Sequence, residues 1–231
     1  KHKVTGLKID VSPTSSASLG LFGVAQNATI KNLSVYGDIT ARLSGGSSNI
    51  YNIGGALGQS TRVTLEQVCS FVNITVNNSG TDASAVGGLV GNGYNAIIKS
   101  SANYGTISST DKNSDANVGG LSGMSPWGGI VTIQNSLNAG VVTGKNAGGL
   151  ISLADSGTTV TNSAALGEPT GKLGGTFTNC FATANTIGAT GVTVKTQAEL
   201  NGSDVLTALG SAFKAGANYP ILTWMTESGA P

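Results

Sequence analysis

Charge is what this chain most conspicuously lacks. Only 10% of its 231 residues are Asp, Glu, Lys or Arg, and 11 acidic against 12 basic side chains leave a formal net charge of +1. An average soluble protein carries roughly 25% charged residues. The balance leaves no electrostatic footprint for nucleic acid or for an anionic membrane surface. Histidine is reduced to His2 at the start of the sequence, so no histidine-based general base, metal site or cofactor is expected. With only Cys69 and Cys180, there is no disulfide framework. No run reaches the ~18 apolar residues a membrane helix needs, so no membrane insertion is expected. The opening "KHKVTG" has no charged-then-apolar leader, which places any secretion signal outside this segment and predicts a piece of a longer protein.

Glycine is abundant instead, at 35 residues, and its placement is periodic. "LGLFG" (19–23), "GGALG" (54–58), "GGLVG" (87–91), "GGLSG" (119–123) and "GGLIS" (148–152) are versions of one pentapeptide. A nucleotide-cradling loop would need such glycines once, between a strand and a helix. Here the third copy runs into "NGYNAII", another apolar strand pattern. Recurrence makes the pentapeptide a structural marker of a repeat.

A second block follows each marker: "TIKNLSVYGDIT" (29–40), "TLEQVCSFVNIT" (64–75), "IIKSSANYGTIS" (97–108), "TIQNSLNAGVVT" (132–143) and "TVTNSAALGEPT" (159–170), then a degenerate "TFTNCFATANTI" (176–187). Stacking the blocks gives columns: aliphatic (Ile30, Leu65, Ile98, Ile133, Val160), bulky (Tyr36, Phe71, Tyr104) and hydroxyl (Thr40, Thr75, Ser108, Thr143, Thr170). A repeat of this length without helical periodicity buries its apolar face only by stacking on its neighbours. It is also too short for a four-stranded propeller blade. The reading is an all-β, single-stranded, right-handed parallel β-helix of about six rungs over 1–194. Leu89 and Val90 are expected on one strand, facing opposite ways. The variable segments 41–53, 76–86, 109–118 and 144–147 are expected along one edge. Residues 195–231 change character. "TQAEL" offers a capping box from Thr196 to Glu199, and "SDVLTALG" offers Ser203 as a helix cap and Gly210 as a stop. They predict a C-terminal cap with short helices closing the solenoid end, followed from Met225 by the start of a linker.

The "GGLVG" marker followed by "IIKSSANYGTIS", and the ending "AFKAGANYPILTW", resemble the GLUG-type repeats of bacterial surface proteins. The likeness covers about residues 19 to 224. It implies a secreted or wall-attached, adhesin-like module flanked by other domains, with no catalytic constellation in the repeats. The long edge loops depart from the commonest family pattern, and no member's ligand transfers to this chain.

The chemistry the residues offer is modest. Glycoside hydrolysis needs two carboxylates roughly 5 to 9.5 Å apart. Asp38 and Glu168 fall in one column but four rungs, about 19 Å, apart, and Asp111 and Asp115 read as a solvated loop. The two cysteines, on one wall and equally far apart, are expected as buried free thiols. The hydroxyl column is too narrow for an ice-binding lattice. Recognition is best carried by Tyr94 and Trp127, aromatics at equivalent corner insertions of neighbouring rungs, as a stacking platform for glycan rings. The expected function is therefore a non-catalytic adhesin-like or stalk module, with flanking domains and a host or microbial glycan or protein as partners. The competing reading is a carbohydrate-active β-helix enzyme, a polysaccharide lyase or glycoside hydrolase.

Overall fold

The computed structural model describes residues 1–45, 49–126, 128–172 and 174–226. The chain winds into an all-β parallel solenoid of about four turns with very little helix. The solenoid strands fall into a 14-stranded sheet, a six-stranded sheet and a five-stranded sheet in which every pairing is parallel. A small antiparallel pair, Phe213–Lys214 with Ile221–Leu222, stands apart in the C-terminal segment. Thr29–Leu43 and Thr64–Asn78 form the longest pair, in unbroken side-by-side order apart from one kinked position. The first strand, His2–Val11, pairs with Thr29–Leu43 on the outer side.

The stacked columns follow the register. Ile30 pairs with Leu65, Leu65 with Ile98, Ile98 with Ile133, and Ile133 with Val160. Burying like on like gives each aliphatic side chain the same cavity in every turn, the economical way to fill a solenoid interior. Corners are set by residues in the left-handed region. Asn32, Gln67, Ser100, Asn135, Asn162 and Asn179 all have φ between 48° and 56°, and they kink the large sheet at the same place in each repeat. Asn dominates this column because its short amide tolerates that conformation at low cost.

The "GGLVG" segment differs from expectation. It is not one strand: Ala83–Gly87 ends at the first glycine and Val90–Tyr94 begins at the valine. Leu89 and Val90 are both fully buried, because the chain bends at Gly88 and Leu89 before the strand resumes at Val90, and the alternation of a continuous strand does not apply. The corner is itself laddered: Gly88 N–H donates to the Gly119 carbonyl (3.2 Å) and Val90 N–H to that of Leu121 (2.9 Å).

Repeat length shrinks towards the C-terminus. Bridging hydrogen bonds link residues 35 apart (Asn73 to Asp38), 33 (Val68 to Ser101), 35 (Ser101 to Ser136), 27 (Ser136 to Ser163) and finally 17 (Asn179 to Asn162). The contraction comes from the edge segments and from one short-cut. Pro169, whose carbonyl accepts from Leu150 N–H at 3.0 Å, stands where the next Gly-Gly corner would be, and Thr170 pairs with Ile151. Thr170 therefore leaves the hydroxyl column, which runs Thr40, Thr75, Ser108, Thr143 and stops.

The C-terminal segment also differs from expectation. It lies along the outer flank of the large sheet, not over the solenoid end. Cys69, Ala102, Leu137, Ala164 and Phe181 form an outward column in register. They pack under Leu200, Val205, Leu209, Phe213, Leu222 and Met225, forming a second apolar core. Tyr104 Oη donates to the Pro220 carbonyl (2.7 Å) and Asn135 Nδ2 to that of Ala208 (2.7 Å). The physical reason is that an outward apolar column needs cover, whereas the shortened last turns bring Ile187, Ala189 and Val192 onto the interior at that end. Thr196 and Glu199 form the reciprocal capping box around the short helix Ala198–Asn201. Gly202, not Ser203, caps the helix Ser203–Leu209, and Gly210 (φ 79°) ends it. Met225 is buried, so it belongs to the folded unit and not to a linker.

Candidate functional site

Tyr94 closes strand Val90–Tyr94, and Asn95 (φ 53°) turns the corner after it. The Asn95 side chain holds the neighbouring turn in place: its Oδ1 accepts from Ile130 N–H at 3.1 Å. A tight turn, Gly129 N–H to Pro126 carbonyl (2.8 Å), brings the insertion of that next turn back to the sheet. A Cβ on Gly129 would sit 2.9 Å from Tyr94 Cδ2, so the bare backbone lies against one edge of the ring. The insertion is further pinned by Ser125, whose N–H donates to the Leu153 carbonyl (2.9 Å) and whose Oγ accepts from Asp155 N–H (2.7 Å).

What remains open is a small apolar strip. Tyr94 is 37% exposed, and Ile97 and Ile130, which flank the same corner, are 41% and 46% exposed. Phe22, Val24, Ile50, Val141 and Val194 are exposed to a similar or greater degree elsewhere; what sets this strip apart is one aromatic face beside two branched aliphatic ones at a single corner. Trp127, the expected partner of Tyr94, lies outside the described residues. The strip offers stacking and apolar contact, with the Asp155 carboxylate beside it against the insertion, where its Oδ2 accepts from Gly128 N–H at 3.4 Å.

No family model, curated protein or solved structure matches the chain. The site is therefore read from its own geometry.

The carboxylates weighed for catalysis have structural engagements. Asp38 accepts from Asn73 Nδ2 (3.1 Å), and Glu168 accepts from Thr186 N–H and Oγ1, the latter at 2.7 Å. Asp111 is buried, where it accepts from Ser84 Oγ (2.6 Å) and Asn113 N–H (2.9 Å). Asp115 is exposed on the same loop, so burial separates the two. The thiols lie on opposite faces of one sheet: Cys69 under the C-terminal segment, its Sγ 3.5 Å from Met225 Sδ, and Cys180 in the main core. Both are free, and burial pushes both thiols up from their ordinary pKa.

Two arrangements escaped the sequence reading. Tyr36, Phe71 and Tyr104 form a continuous stack, with ring centroids 4.4 and 4.8 Å apart, and Lys3 Nζ sits 4.5 Å from the Tyr36 centroid. The bulky column was visible in the aligned blocks; its stacking required parallel pairing. A cleft of about 400 Å³ between the sheet and the helix Ser203–Leu209 is lined by Asn162, Asn179, Asp204 and Thr207 among others. Its signal in the sequence was the fourth position of the blocks, which is Asn in four of the six.

Proposed function

We propose that this chain is a non-catalytic repeat module of a secreted bacterial surface protein, adhesin-like or stalk-forming, of the GLUG-repeat kind. The observation that carries the reading is the rung-to-rung ladder. Backbone, aliphatic, aromatic and amide columns all run along one axis, so the fold is committed to length and rigidity. The finer architecture belongs to the same proposal. The winding is right-handed with one chain per rung and about six rungs, a count that the six strands of the second sheet support. Residues 195–226 form a unit distinct from the repeat region 1–194 and serve as a strap along the flank, and the rest of the segment expected to run to 231 lies outside the described residues.

The module presents the corner around Tyr94, with Trp127 as its aromatic partner, to a glycan on a host or microbial surface, while flanking domains anchor it outside the cell. Support comes from the exposed Tyr94–Ile97–Ile130 strip on a hydrogen-bonded corner. A glycan array tests it: binding should appear for a subset of glycans and fall at least 10-fold in Tyr94→Ala. Array-wide silence, or binding untouched by that substitution, refutes the recognition surface. Product release from any glycan would establish the polysaccharide-cleaving alternative instead.

A further inference from the structure

On the loop edge, one carboxylate is out of keeping with the rest of the molecule. Asp82 is 0% exposed, and neither of its side-chain oxygens has a hydrogen-bond partner. The ion pairs among the described residues are Arg42–Asp10, Lys99–Glu66 and Lys195–Asp204, so Asp82 belongs to none of them. A buried carboxylate with neither cation nor donor is among the costliest arrangements a fold can hold. Its neighbour Asp111, equally buried, is fully satisfied by Ser84 and Asn113, so enclosure on this edge does not by itself orphan an acid.

The surroundings of Asp82 are oxygen- and amide-rich. A Cβ placed on Gly45 would meet Asp82 Oδ2 at 2.7 Å, Asp82 Oδ1 at 3.1 Å and Asn49 Nδ2 at 2.6 Å. Both side chains therefore converge on the bare backbone of Gly45. The main chain around the acid is held rigidly: the Asp82 carbonyl accepts from Asn78 Nδ2 (3.1 Å) and Asn113 Nδ2 (3.3 Å), and Ala83 N–H donates to the Asn49 carbonyl (3.3 Å). Asn49, with its amide turned over, presents an oxygen where its nitrogen now stands. Fully buried Tyr51 feels the same acid: burial first and the Asp82 charge second raise its phenol above the ordinary value.

We propose that Asp82 is the anchoring carboxylate of a calcium site on the loop edge, with both its oxygens and the Asn49 amide oxygen as protein ligands and water completing the shell. Calcium accepts irregular sets of six to eight oxygens, carboxylate, amide and water alike, whereas magnesium requires a near-ideal octahedron. Among the described residues no three acidic, His or Cys side chains converge. This one-carboxylate site is accordingly a weak one, in the roughly 10⁻⁴–10⁻³ M range typical of extracellular modules. The ion neutralises the buried charge and ties the turn at Ser79–Asp82 to the preceding turn at Gly45 and Asn49.

Thermal unfolding in EDTA and in about 10 mM CaCl2 tests the site. The wild-type midpoint should rise by about 3 °C with calcium, and by clearly less with magnesium. Asp82→Asn should lose the calcium response and, in EDTA, be at least as stable as wild type because the orphaned charge is gone. Asn49→Asp adds a second carboxylate and should enlarge the response, a readout that stands even if Asp82→Asn does not fold. Terbium, bound in place of calcium, should give saturable luminescence that Asn49→Asp brings in at lower concentration. A wild-type midpoint indifferent to calcium overturns the proposal. So does an equal response in Asp82→Asn, or an Asn49→Asp protein with no gain.

Discussion

At the scale of single residues, the glycine pair explains more of this molecule than any polar side chain. A methyl group on Gly87 would overlap the Val90 carbonyl, and one on Gly88 would overlap both the Gly120 carbonyl and the Asn103 amide. The second glycine thus makes room for the amide ladder: Asn103 Nδ2 donates to Asn138 Oδ1 (2.9 Å) and to its own turn at the Gly105 carbonyl (2.9 Å). Gly88→Ala should therefore cost about 3 kcal/mol in urea or guanidinium unfolding, through overpacking of backbone that cannot move. Asn103→Ala should cost about 2 kcal/mol, since Gly105 N–H and the Gly105 carbonyl lose a buried partner. Were the pair merely flexible spacing, neither change would exceed about 0.5 kcal/mol.

At the scale of elements, the C-terminal strap and the sheet beneath it form one apolar interface, and the two cysteines report on its two sides. Cys69 faces the strap and Cys180 faces the solenoid interior. A protein truncated before residue 195 should expose Cys69 to a thiol reagent such as DTNB while Cys180 stays protected; equal reactivity of the two would contradict the layering. The strap is also acid-sensitive in a definite direction. The Thr196 N–H and hydroxyl hold the Glu199 carboxyl below the ordinary range, and the Lys195 ammonium does the same for Asp204. A carboxylate whose folded pKa is depressed contributes stability above its unfolded value and loses it as pH falls through the folded one. Both carboxylates are exposed, so the effect is local. Hydrogen exchange at Ala198–Leu209 should speed up below the ordinary carboxylate range before exchange in Thr64–Asn78 changes, and a uniform response would argue against a separate strap.

At the scale of the whole molecule, stability is distributed along one axis. Ile74 lies at the centre of a fully packed turn, with strands on both sides, whereas Ile9 is half-buried on the first strand. Ile74→Ala should cost about 4 kcal/mol, and Ile9→Ala about 1 kcal/mol, measured by chemical denaturation. Similar costs would mean that the turns unfold as one cooperative block insensitive to position.

Much of this order was legible in the sequence because stacking places like on like. The Ile30, Leu65, Ile98, Ile133, Val160 column and the shortening of the variable segments are one-dimensional facts, and parallel pairing turns them directly into register. The repeat length excluded a propeller. Direction was not legible. Whether Leu89 and Val90 face opposite ways depends on where the chain bends, and only the corner at Gly88 decided that both point inward. The outward column from Cys69 to Phe181 reads as apolar in the aligned blocks, yet nothing local says what covers it. That the strap lies along the flank, that Thr170 leaves its column at the Pro169 short-cut, and that Asp82 is enclosed while Asp115 is not, all depend on contacts between residues far apart in the chain. A repeat sequence determines its own period and interior; its tertiary structure decides which surfaces remain to be used.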